Sequence, residues 1–430
     1  MTTRDESTVT QMRCAHGGLV EEFNPWEGPY VDDPYPFFAR ARAEEPVFYS
    51  PLIDMWIVSG YDDIWAVLRD PAHFSAANAL SPVSPFTPEA QQILIDGGYT
   101  LQPALTNNDP PGHTRVRSHI NKVFSARRIA ALEPRIRQFA DTLIDAFVDD
   151  GHADLIRQFA YPLPILVVFS LIGIPQEDME QVKAWCGNRV QFVFGKLSPE
   201  QQIDCARNMV AFWHYTRAFC EQRQREPQDD VASDLAAIVS RDPSALSMHE
   251  LASIIFGLGF AGHETTTNLI GNAMTHLLTH RDAWQQISDD PSLIEKAVEE
   301  VLRFDGSVPL WRRVARQEVE LGGVRIPKGA KLALLLGSGN HDEAYFECPE
   351  QLDIHRENAR NHLAFGKGIH YCIGAPLARL EAKIALELFA RRLPGLGLVP
   401  DQRIEFVPTV SFRGPKNVLV AWDRTPTAAA

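Results

Sequence analysis

One cysteine set among glycines, with a helix starting immediately after it, constrains this chain more than any other feature. Residues 365–374 read Phe-Gly-Lys-Gly-Ile-His-Tyr-Cys-Ile-Gly. Pro376 suits the first helical position, where its missing N–H would have had no partner. Leu377, Leu380, Ile384 and Leu388 then recur at helical spacing up to a stop at Pro394. Cys372 therefore precedes a helix N-terminus, whose free N–H groups and positive dipole end favour an anion and lower a thiol pKa. Gly366, Gly368 and Gly374 allow tight turns and close approach to something flat and bulky.

Several readings of that cysteine compete. Most free cysteines in large chains are small buried hydrophobes. A nucleophile would want His370 as its base but has no use for the glycines. A dinucleotide loop needs Gly-x-Gly-x-x-Gly, and Tyr371 stands at its third glycine. A thiolate axial ligand to haem iron uses every feature. The run Phe365-x-x-Gly368-x-x-x-Cys372-x-Gly374 resembles the haem-binding loop of the cytochrome P450 family. That resemblance implies a mainly α cytochrome P450 fold, a helical triangular prism with a minor β region and haem between two central helices. It implies haem b (iron protoporphyrin IX) as cofactor and Cys372 as the metal ligand, with Phe365, Gly366 and Gly374 in the cradle.

A second central helix is legible by itself. Ser247-Met248-His249-Glu250 is a capping box, and the helix it opens runs to about His280, roughly 50 Å at 1.5 Å per residue. Its first half is apolar nearly all round (Leu251, Ile254, Ile255, Phe256, Leu258, Phe260), as in a buried helix. Ala261-Gly262-His263-Glu264-Thr265-Thr266-Thr267 in its middle costs helix stability. A Thr265 hydroxyl bonded back to the Ala261 carbonyl would bend it. His263-Glu264 begins the zinc motif His-Glu-x-x-His, but position 267 is threonine. The segment resembles the family's Ala-Gly-x-Glu/Asp-Thr element. By that resemblance Ala261 and Gly262 border an oxygen pocket, and Glu264 and Thr265 are a catalytic pair delivering protons for O–O cleavage.

After the Pro-Pro-Gly turn at 110–112, a helix brings His113 and Arg117 onto one face at i, i+4. Such a face is either solvated or a carboxylate site, since arginine grips carboxylates bidentately. The resemblance implies that His113, Arg117, Arg313 and His370 neutralise the haem propionates. Glu300 and Arg303, a pair any long helix can carry, resemble the family's structural Glu-x-x-Arg. Arg356 follows as its third member, although Leu352 replaces an aromatic in that run. Residues 307–310 and 409–412 fall where the family has substrate-contacting turns. Phe192, Phe194, Trp213 and Phe219, in a mostly helical stretch, are either cavity wall or plain core.

Elsewhere, 46–49 and 55–58 alternate as two strands, 61–69 returns to helix, and 312–334 is a strand meander. Between 74 and 103 prolines and glycines break the pattern, yet Leu80, Phe86, Ile93 and Leu94 are apolar. This long loop is either a lid or packed on the body. The expected organisation is a flexible tail at 1–23, one haem domain over 24–424, and a tail or linker start at 425–430.

A formal charge of −14 argues against nucleic acid and anionic membrane partners. The most apolar run, 163–174, is about 12 residues where ~20 are needed to span a bilayer, and Pro164 interrupts it. No signal peptide is legible, and the six cysteines are scattered, which points to the reducing cytoplasm. The function implied is a monooxygenase that hydroxylates or dealkylates a small hydrophobic, aromatic substrate with O2. The alternatives are a peroxide-driven peroxygenase and a non-catalytic haem protein. Since no flavin, nucleotide or iron–sulfur motif is present, electrons come from NAD(P)H through a reductase with FMN and 2Fe-2S outside this chain, or through a ferredoxin. The 48–64 pattern looks most like the haem domains of self-sufficient bacterial P450s. A monomer is expected.

Overall fold

The structure, a computed structural model, describes residues 18–423. The architecture is mainly α. Among the described residues no helix is long and apolar enough to cross a membrane. Of the stretch expected as an N-terminal tail, 1–17 lies outside the described residues, whereas Leu19 and Phe23 are buried. The 425–430 segment also lies outside them.

Eight helices position the site: α1 (Pro88–Asp96), α2 (Gly112–Val123), α3 (Met179–Phe194), α4 (Pro199–Arg225), α5 (Met248–Ala261), α6 (Glu264–Thr279), α7 (Ile294–Phe304) and α8 (Ala375–Arg392). Their starts follow from local chemistry. Ser247 accepts from the Glu250 N–H at 3.2 Å while Glu250 accepts from the Ser247 N–H at 2.9 Å, the reciprocal box expected at the head of α5. Ser198 and Gln201 form another at the head of α4. The run α5–α6 is not the single helix expected; it breaks at Gly262 and His263. Helix α1 corrects the reading of 74–103 as loop. Thr87 caps it, Pro88 opens it and Gly97 ends it, so the residues taken as breakers are its start and stop signals.

Five strands form the main sheet: β1 (Val47–Ser50), β2 (Met55–Val58), β3 (Phe74–Ser75), β4 (Trp311–Ala315) and β5 (Lys331–Leu334), in the order β1-β2-β5-β4-β3. Strand β2 runs parallel to β5 with Ile57 opposite Ala333, and β4 runs antiparallel to β5 with Arg313 opposite Leu332. The pleat sends Arg312 and Arg313 to opposite faces. Arg312 donates to the carbonyls of Ala79 and Ser81, both at 2.7 Å.

The suspected Glu300–Arg303 pair is formed and fully buried at 2.7 Å. Arg356 joins it at 3.1 Å, and Arg303 also donates to the carbonyls of Asn340 and Pro349. Removing one member strands a buried charge, which costs about 3–5 kcal/mol. Glu300→Leu, which strands both Arg303 and Arg356, is therefore expected to lower the unfolding free energy by that amount in urea titration, whereas Arg40→Leu, at an exposed pair, leaves it nearly unchanged.

Candidate active site

The cysteine loop turns where glycine is needed. Gly366 and Gly368 have φ of 66° and 70°, and a Cβ on Gly368 would stand 2.6 Å from the Leu68 carbonyl oxygen. Gly374 differs from expectation: its φ of −81° is open to any residue. Its missing Cβ would lie 3.8 Å from Cys372 Sγ, so glycine there keeps space beside the sulfur. The Cys372 N–H donates to the Phe365 carbonyl at 3.0 Å. Burial pushes the Cys372 thiol up, against the opposing pull of the Gly374 and Ala375 N–H groups and the charges of Arg117 and Arg379. Burial thus opposes the pull toward thiolate that the helix terminus exerts. A coordinated metal ion would deprotonate the thiol outright.

A cavity of about 420 Å³ opens at this sulfur. Cys372, Phe365 and Gly366 line it, as do Ala261 and Thr265 at the α5–α6 break. The break has the cause read from the sequence: Thr265 Oγ1 donates to the Ala261 carbonyl at 3.0 Å, and Thr266 does the same to Gly262 at 3.3 Å. Gly262 does not border the cavity. A Cβ there would meet Val168 at 2.7 Å, so its role is close packing against the Pro162–Ile172 helix. Glu264 also lies off the cavity, with Oε2 3.8 Å from His263 Nε2. Burial raises its pKa to about 7.

The basic groups expected to meet carboxylates do converge. Arg117, Arg313 and His370 line the cavity, and the buried His113 ring lies 4.2 Å from that of His370. Arg117 donates to the Tyr371 carbonyl at 2.8 Å and Arg313 to that of Arg312 at 2.7 Å. Both ring nitrogens of His113, and Nε2 of His370, are buried without a hydrogen-bond partner. Burial and the neighbouring cations lower both histidines, His370 to about 3. Buried donors without acceptors and cations without counter-charge fit a bound dianion. The two propionates of haem supply one, and the sulfur at the same cavity supplies a ligand for its iron.

The 74–103 stretch contributes Leu80, Pro82, Phe86, Tyr99 and Leu101 to the cavity, with Phe86 stacked on Phe192 at 4.1 Å. Of the four candidate aromatics only Phe192 lines it. Phe194 packs with Phe260 and Phe412, while Trp213 and Phe219 are plain core. From the candidate turns Ser307, Val308 and Phe412 line it; Thr409 instead closes its own turn by hydrogen bonds with Phe412. Sequence reasoning missed Arg189, a buried cavity residue on α3. It also missed Glu299, which Arg379 and His362 grip beneath the cysteine loop at 2.6 and 3.2 Å.

Comparison with known proteins places these features in a familiar setting. A model of the family described as Cytochrome P450 matches residues 177–394. The chain is 37% identical over 404 residues to the cytochrome P450 monooxygenase PikC of Streptomyces venezuelae, covering 92% of each chain. The structure of cytochrome P450 CREJ in complex with (4-ethylphenyl) dihydrogen phosphate superposes with a TM-score of 0.90 at 40% identity, over 94% of this chain and 100% of that one. An intact type IV self-sufficient cytochrome P450 monooxygenase superposes at 0.92 and 38% identity, over 96% of this chain but 54% of its own.

The raised Glu264 pKa has a measurable sign. Between pH 4.5 and about 7 the unfolded chain releases this proton while the folded one retains it, so the group's contribution to stability falls as pH rises. Relative to Glu264→Gln, the wild-type unfolding free energy is expected to drop by up to about 3 kcal/mol from pH 4.5 to 7.5 and to level off above, in urea titrations at each pH.

Proposed function

Since the chain belongs to the cytochrome P450 family and is a monooxygenase of that family, we propose that Cys372 is its iron ligand and that a small apolar, aromatic compound is hydroxylated or dealkylated in the 420 Å³ cavity. When bound, the haem supplies reductive activation of O2 and insertion of one of its oxygen atoms into an organic substrate. The single observation that carries the reading is the meeting of Cys372, Thr265 and the unpartnered basic groups at one cavity.

Each residue then has a physical task. Arg117, Arg313, His113 and His370 hold the propionates, whose charge would otherwise be costly to bury. Phe365, with Arg379 at 4.5 Å over its ring, packs beneath the cysteine loop. Thr265 holds a hydroxyl proton at the cavity wall, and Glu264, poised near neutral pH, can release and regain one behind it. An acid–alcohol pair serves O2 plus electrons better than peroxide. Leu80, Phe86, Phe192 and Trp311 exclude water and orient an apolar ring. The aryl phosphate held by CREJ supports a compact aromatic substrate.

Members of the family draw electrons from redox partners. The likeness to a self-sufficient enzyme, of which this chain matches 54%, supports NAD(P)H oxidation by a reductase carrying FMN and 2Fe-2S. A cytoplasmic monomer suits this scheme, because free thiols stay reduced there.

In the reduced protein under carbon monoxide, Cys372→Ser is expected to abolish the parent Soret band; an unchanged band sinks the assignment. Thr265→Ala is expected to lower product formed per electron consumed by about 10²-fold, with substrate affinity, measured as the low- to high-spin shift of the ferric protein, within about twofold of wild type.

A further inference from the structure

Of the six arginines buried among the described residues, three are neutralised in place by a carboxylate, while Arg312 is held by two carbonyls and Arg313 faces the histidine cluster. Arg223 meets Asp230 at 2.8 Å, Arg303 meets Glu300 at 2.7 Å and Arg413 meets Asp305 at 2.9 Å. Arg189 is different. It is 4% exposed, borders the cavity, and makes one hydrogen bond, from Nη1 to the Phe256 carbonyl at 3.0 Å. Its guanidinium carbon lies 4.4 Å from the ring centre of Phe256 and 4.9 Å from that of Phe260. Among the described residues no carboxylate stands within ion-pair distance of it. The groups whose fields reach it, Tyr99 and Cys186, are neutral near pH 7, since burial raises both, Cys186 to about 12.

Arginine keeps its proton in proteins, and a buried cation without a partner is costly. Five N–H donors are present and one is used, so the guanidinium retains a fork suited to a carboxylate or phosphate. The cavity is where an anion can reach it. Arg117 and Arg313 do not compete for that anion, because they face the proposed propionates. We propose that Arg189 anchors an oxyanion, a carboxylate or a phosphate monoester, at one end of an otherwise apolar substrate. This deepens the substrate reading above and rests on it.

The position also sets where the molecule must reach. Phe256 and Phe260, the rings beside Arg189, precede the Gly262–His263 break, and Thr265 follows it. A substrate gripped at Arg189 must therefore reach past that break to the Cys372 end of the cavity, and one aromatic ring with a short alkyl arm is a probe of that kind.

The test uses the haem-loaded ferric protein and three probes of one shape: 4-propylbenzoate, 4-propylphenyl phosphate and neutral 4-propylbenzamide. Binding is read as the low- to high-spin shift. At least one anion is expected to bind about tenfold or more tighter than the amide, and the tighter anion identifies the headgroup. Arg189→Gln is expected to weaken that anion about tenfold while leaving the amide within about twofold, and Arg189→Lys to keep part of the preference. An amide that binds wild type as tightly as both anions overturns the anchor, as does Arg189→Gln weakening all three probes alike. If Arg189→Gln fails to fold, the wild-type preference and Arg189→Lys decide. Anions that give no shift while the carbon monoxide band is intact overturn the anchor alone. Loss of that band in wild type overturns the reading beneath it as well.

Discussion

A sulfur atom held by backbone organises this molecule. Cys372 is positioned by its own N–H on the Phe365 carbonyl, by two left-handed glycines upstream and by the N–H groups that open α8. These contacts fix the backbone on either side of Cys372, and with it the direction in which the side chain leaves the loop. Beneath it, the Glu299 and Glu300 clusters tie α7 to the segments flanking the loop. The support is electrostatic and buried, which suits a part that must hold still.

The second constraint is charge without counter-charge. A buried cation without a counter-charge is costly unless carbonyls satisfy it, as those of Ala79 and Ser81 do for Arg312. Here two such places open onto one cavity. The first gathers Arg117, Arg313, His113 and His370; the second is Arg189 among aromatic rings. In the proposed reading the first faces the cofactor and the second the substrate.

Much of this was legible in the sequence because the features were local. The cysteine loop, the capping box at Ser247, the Thr265–Ala261 back-bond and the i, i+3 pair at 300 and 303 each involve residues within a few positions of one another. What was not legible depended on partners far away in the chain. Helix α1 was obscured because its cap, Pro88 and Gly97 also read as loop residues. Gly262 looked like part of a pocket, but its use is contact with Val168. The helix-dipole argument for a thiolate omitted desolvation, which only the folded environment reveals. Phe194, Trp213 and Phe219 share spacing with Phe192, and no periodicity distinguishes a cavity wall from core. Arg189 carried no motif; it stands out only once its lack of a carboxylate can be checked in space.

The alternation of Arg312 and Arg313 along β4 has a mechanical consequence. One side chain grips the carbonyls on either side of Leu80 in the ceiling, and the next reaches the basic floor beside His370. Ceiling and floor are thereby bolted to a single strand, at consecutive residues about 3.8 Å apart. The height of the chamber is inherited from the pleat, whereas its breadth is left to replaceable side chains such as Phe86 and Phe192. An enzyme built this way can change its diet by exchanging wall residues while the vertical gauge stays the same.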